Sequence, residues 1–179
     1  MSPPGAVFGP ILLDAWIRHR HPGNLAVHAV SGLIAWLGLT TVLTAIPTPL
    51  ALPVLGNSAG AWLALLGPLA WLPLDAVVAI AVLLASLPVV LLGPPWPLGL
   101  AAFLVCLVVQ HYAHVGWHEH ASFLPNRRPF AALTTLFAPF LFGTFWLLDR
   151  GWRPALRDAF VAAERHALRR RPEIGRAHV

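Results

Sequence analysis

Residues 98–120 read LGLAAFLVCLVVQHYAHVGWHEH, an apolar run of bilayer-spanning length that ends in four histidines. Leu98 to Trp117 predicts a membrane helix carrying this cluster at its end. Polar side chains at bilayer depth are costly unless they are paired, hydrated or bound to something. Neutral imidazole is also the commonest protein ligand for transition metals. His111, His114 and His118 stand at i, i+3 and i+7, one stripe of a helix, with Gln110 four residues before His114. His114 and His118 form the i, i+4 pair familiar from helical metal sites. The stretch therefore points to a membrane metalloprotein.

Composition agrees with a membrane setting. The 179 residues are 58% hydrophobic and 11% charged, with a mean hydropathy of +0.71, far from the profile of a soluble domain. All basic residues are Arg and none is Lys, a bias that fits a GC-rich bacterial coding sequence. The net charge of +5 arises largely between Arg150 and Arg171. Such a patch beside apolar spans reads as anchoring to anionic headgroups, and no nucleic-acid role is expected. Cys106 is the sole cysteine, which excludes an internal disulfide and a thiolate metal cage. Met1 to Asp14 lacks the basic start of a cleavable signal peptide. Glu173 to Val179 matches the translation of a sequencing adapter, so residues 173–179, including His178, are set aside.

The expected fold is all-α: a polytopic membrane helix bundle with four to five hydrophobic segments, forming a single integral membrane domain over residues 1–172. Residues 11–20 read as an interfacial helix, with Trp16 and Ile17 facing apolar surroundings and Arg18 and Arg20 reaching headgroups. Leu25 to Ile46 is the first span, with Asn24 as its N-cap and Pro47 and Pro49 ending it. Ala61 to Leu92, interrupted by Pro68, Pro73 and Asp75, predicts a hairpin of two spans. Pro94, Pro95 and Pro97 then turn the chain into the histidine-bearing helix. Phe130 to Leu148 forms a fifth apolar stretch, re-entrant or kinked at Pro139 and Gly143. Residues 150–172 read as a basic amphipathic tail with Leu156, Phe160 and Ala163 on one side. The eight tryptophans are expected mostly as interfacial anchors.

Five full spans would send the arginine-rich tail across the membrane from Arg127 and Arg128, against the positive-inside bias. A fifth stretch that does not cross keeps the histidines and the arginine clusters together near the cytoplasmic face, in a bacterial inner membrane.

A second histidine group lies at the start of the first span, HRHPGNLAVH from His19 to His28. Asn24 and His28 are four apart and share a helix face, while Pro22 favours an extended approach from which His19 or His21 folds back. Packed together, the two groups supply three or four imidazoles, enough for one Fe, Zn or similar ion. Asn24, Gln110 and Glu119 are available to hydrogen-bond the ligands, and His21, His111 and His118 compete to complete the set. His120 reads as a solvated boundary residue and His166 as part of the tail.

These groups resemble a family of small membrane dioxygenases that shorten 2-hydroxy fatty acids by one carbon during breakdown of sphingoid long-chain bases, first recognised in yeast and widespread in bacteria. The family's first signature is matched by His19, Asn24 and His28 with the intervening Pro22. Its second is matched by Gln110, Ala113 and His114, where Gly is the more usual small residue. The family's Glu four residues after the second histidine is replaced here by His118, with Glu119 next, and Arg127-Arg128-Pro129 follows after an insertion. The likeness runs from Trp16 to Pro129. It implies an Fe(II) enzyme, Fe2+ being held by His19, His28, His114 and, as the fourth candidate, His118, acting with O2 on a 2-hydroxy fatty acid whose tail lies among the apolar helices.

Three other readings compete. A histidine-box di-iron hydroxylase or desaturase would need about eight histidine ligands. A haem-binding electron carrier would take axial imidazoles from two helices. A scaffold or proton-path subunit would keep its histidines merely hydrated. Oligomeric state is not legible.

Overall fold

A computed structural model of the chain describes residues 9–117 and 136–170. Among these the chain is mostly helical: α1 (Gly9–Arg18), α2 (Pro22–Thr44), α3 (Ala59–Trp71), α4 (Ala76–Leu92), α5 (Trp96–Gly116), α6 (Ala138–Asp149) and α7 (Pro154–Arg170). The expectation of an all-α chain needs one correction. Between α2 and α3, β1 (Pro47–Leu52) and β2 (Gly56–Ser58) form an antiparallel hairpin. Pro47 and Pro49 forbid continuation of α2 and favour extended backbone, so the segment that ends the helix pairs with the residues leading into the next one.

Local chemistry sets the helix ends. Pro22 occupies the first turn of α2, so the helix starts earlier than expected and its N-cap is His21, whose Nδ1 accepts from the Gly23 amide at 3.1 Å. Asn24 is not the cap; it lies inside the first turn, fully buried. Ser58 caps α3, and Asp75 caps α4 by accepting from the Val77 and Val78 amides.

In the apolar tract 61–92, Pro73 and Asp75 separate helices of 13 and 17 residues, about 20 and 26 Å long at the α-helical rise, against a hydrocarbon core of about 30 Å. Only α2, of 23 residues, and α5, of 21, are long and apolar enough to cross a membrane among the described residues. In the fifth stretch, Pro139 falls in the first turn of α6, where its missing N–H costs nothing, so it opens the helix instead of kinking it.

α2 is the hub, packing against α3, α4, α5 and α6. It runs antiparallel to α5, and the two backbones meet at Gly38 and Gly99. A Cβ on either glycine would stand 2.6 Å from the other's carbonyl oxygen, so the crossing depends on their lack of side chains. The core lies between α2, α4 and α6, closed by α1 and α7, with Phe140, Leu141, Phe145 and Leu148 of α6 at its centre. Trp16 and Ile17 of α1, expected to face apolar surroundings, are 2% and 1% exposed and packed in this core. Arg20 reaches Glu164 of α7 at 3.5 Å. Trp36 and Trp71 are likewise buried, donating to Ser86 and Thr144. Buried indoles need such partners. Leu156 and Phe160 of α7 pack onto the core, the apolar side of the amphipathic tail.

Candidate metal centre

Antiparallel packing brings the start of α2 and the end of α5 to one end of the bundle. His28 lies two turns into α2, His114 near the C-terminus of α5, and His19 in the turn between α1 and α2. One ring nitrogen from each lies within 4.8 Å of the others. The ring centroids are 4.5 Å apart for His19 and His28, 4.8 Å for His19 and His114, and 4.6 Å for His28 and His114.

Backbone carbonyls fix two of the rings. His19 Nδ1 donates to the Ala15 carbonyl at 2.7 Å and His28 Nδ1 to the Asn24 carbonyl at 3.1 Å, each four residues upstream. A carbonyl only accepts, so both Nδ1 atoms carry the proton and both Nε2 atoms present lone pairs. His19 Nε2 is buried with no hydrogen-bond partner among the described residues. Imidazoles that donate one nitrogen outward and aim the other at a common point have the arrangement of histidines that ligate a metal. Burial holds the His19 imidazole well below its ordinary pKa, reinforced by His28 and His114 and opposed by the Ala15 hydrogen bond. It is thus neutral, as a ligand must be. The group could hold a metal ion.

Phe142 of α6 closes the apolar side, its ring 4.4 Å from His19 and 4.9 Å from His28. Nothing in the sequence singles it out, because the stretch around it is uniformly apolar. The Ala15 carbonyl is equally invisible, since every residue has one.

The other candidates separate. His111 is exposed and packs beside Tyr112, so the stripe with His114 is not shared by the cluster. A helical stripe is wide enough for its edge to leave the interface. His21 caps α2 and stacks on Trp117 at 5.3 Å, outside the group. His166 is exposed on α7. Gln110 is partly buried one turn before His114, and its Nε2 is enclosed without a hydrogen-bond partner among the described residues. Asn24 serves His28 through its backbone carbonyl. His118, Glu119, Arg127 and Arg128 lie outside the described residues.

No protein-family model matches the chain, and no curated protein or solved structure matches it.

Proposed function

We propose that the protein is a membrane-embedded mononuclear metalloenzyme, an Fe(II)-dependent dioxygenase that shortens 2-hydroxy fatty acids by one carbon. The observation that carries the metal reading is the convergence of His19, His28 and His114 with the Nδ1 protons of the first two held by carbonyls. Iron and the substrate class rest on the family resemblance of the same residues. Convergence of three imidazoles, with His21, His111 and His166 elsewhere, favours a mononuclear centre over a histidine-box pair of irons.

The membrane setting is supported by α5. Its apolar window is only 17% buried within the protein, and Leu98, Leu104, Val105 and Val108 are each more than half exposed. So much uncovered apolar surface calls for lipid around it. The centre then sits near one headgroup layer, beside α1 and the arginine-bearing α7, at the cytoplasmic face of a bacterial inner membrane by the positive-inside bias.

Bound Fe(II) would supply coordination positions at which O2 and the substrate's 2-hydroxyl and carboxylate meet. The chain's own part is positional. His19, His28 and His114 would hold the ion, the carbonyls of Ala15 and Asn24 orient two of the rings, and Phe142 presents an apolar ring on that side.

The test is elemental analysis of anaerobically purified protein beside His28→Ala and His114→Ala. Wild type is expected to hold about one iron per chain and both variants far less; no stoichiometric metal in wild type refutes the metal reading. Incubation with 2-hydroxypalmitate and O2 is expected to yield an acid one carbon shorter. Its absence across chain lengths would remove the substrate while leaving the metal centre.

A further inference from the structure

The histidines of the cluster are held with unequal firmness. His28 and His114 are built into the two longest helices, which pack along each other. His19 follows the 10-residue α1, a length that is marginal without tertiary support. The backbone amide of His19 donates to the Trp16 carbonyl at 3.3 Å and its ring to Ala15, so its placement is that of residues 15 and 16.

Those residues are gripped from α7. Trp16 Nε1 donates to Glu164 Oε2 at 3.0 Å, and Glu164 Oε1 stands 3.5 Å from Arg20 Nε. The Arg20 guanidinium lies 4.7 Å over the Trp16 ring. The ring's stacking partner is Phe160, at 5.2 Å, one turn before Glu164. One carboxylate thus joins the residues three before and one after His19, from a helix nearly 150 positions away. Its side chain is 15% exposed, which shelters the bond from Trp16, whereas the Arg20 side chain is 37% exposed and the ion pair is open to solvent screening.

We propose that Glu164 is a positioning residue for the metal centre, setting His19 by clamping Trp16 and Arg20; this rests on the reading of the histidine cluster as a metal site. Groups that hydrogen-bond a metal ligand are each worth about 10- to 100-fold in affinity; Glu164 stands one contact further out, so its loss is expected near the lower end of that range without removing a ligand. Phe160 supplies the apolar half of the grip, and Glu164 the polar half.

The test is Co(II) titration of the full-length protein in detergent, read by visible absorption and calorimetry. Glu164→Ala is expected to raise the Kd about 10-fold or more and to shift the cobalt spectrum as His19 loosens. Glu164→Gln, which keeps an acceptor for Trp16 and loses the charge facing Arg20, is expected to lie between it and wild type. Trp16→Phe retains the ring and removes the donor. It is expected to weaken binding by itself and to add nothing to Glu164→Ala, because the two remove one interaction. Asp158→Asn, exposed on the same helix, is the control and should match wild type. A Glu164→Ala protein with a lower melting temperature but with Kd within twofold of wild type and an unchanged spectrum would overturn the assignment. So would full additivity of the Trp16 and Glu164 changes. Failure of wild type to bind Co(II) would instead overturn the underlying metal reading, and the positioning role with it.

Discussion

The two ends of α2 use polar residues in opposite ways. Toward the C-terminal end, Thr41 donates to the Leu37 carbonyl at 2.8 Å and Thr44 to the Thr41 carbonyl at 2.6 Å. They return their protons to their own helix, and the packing partner opposite is bare backbone at Gly99. Thr40 Oγ1, buried with no hydrogen-bond partner among the described residues, is the exception. Toward the N-terminal end, His28 also donates to its own helix, but its ring packs against those of His19 and His114. A hydroxyl has one proton, and donating it to the helix's own carbonyl leaves no donor for a neighbour. Imidazoles have two nitrogens, and local satisfaction of one leaves the other for whatever the cluster holds. One end of α2 is built for close approach and the other for a ligand.

Substitutions should separate the ends. The largest effect belongs to His28→Ala, which removes a ligand: metal content is expected to fall below a tenth of wild type while circular dichroism keeps its helical signal. Retained stoichiometric metal would erase the distinction. Phe142→Ala removes a buried wall of the site and should cost about 3–5 kcal/mol of stability. It should also weaken metal binding, a combined loss readable by thermal unfolding and Co(II) titration. At the other end, Gly99→Val inserts atoms where a Cβ alone meets the Gly38 carbonyl at 2.6 Å. About 1–3 kcal/mol of destabilisation is expected, with metal affinity in the folded fraction unchanged. A large loss of metal affinity there would show that the two ends are coupled.

The smallest effect is one of pH. The folded His19 pKa lies below its ordinary value of 6.5, so as pH falls through that value the unfolded chain takes up the proton first. The metal-free protein should therefore be stable on a plateau above pH 7 and lose stability below about 6.5, by at most about 1.4 kcal/mol per pH unit from this residue. His19→Gln should flatten that slope in a thermal-unfolding series, and an unchanged slope would assign it to other groups.

Much of the site was legible because histidines stand out in an apolar chain. The two groups, around His28 and around His114, are visible by composition alone, and the signature spacing separates His19 from its neighbour His21. The i, i+3 relation of His111 and His114 misled because it shows that two residues are near neighbours on a helix, not which one meets the adjacent helix. Asn24 read as a cap because it is a favoured capping residue, yet Pro22 sets the start three residues earlier, with His21 as the cap. The tryptophans read mostly as interfacial because that residue usually is; here Glu164 and Thr144 accept from the Trp16 and Trp71 N–H groups inside the fold. Phe142 and Glu164 carried no signal, since each acts through partners distant in sequence.

The sequence by itself determined the helical character, the prolines and caps that divide the chain, and the two histidine groups, because hydropathy, missing N–H groups and side-chain chemistry act over a few residues. Only the tertiary structure decided that α2 and α5 run antiparallel with their histidines at the same end, and that α1 is buried and gripped by α7. Those outcomes follow from which surfaces fill each other's space, and such complementarity is a property of pairs of segments, absent from each segment read alone.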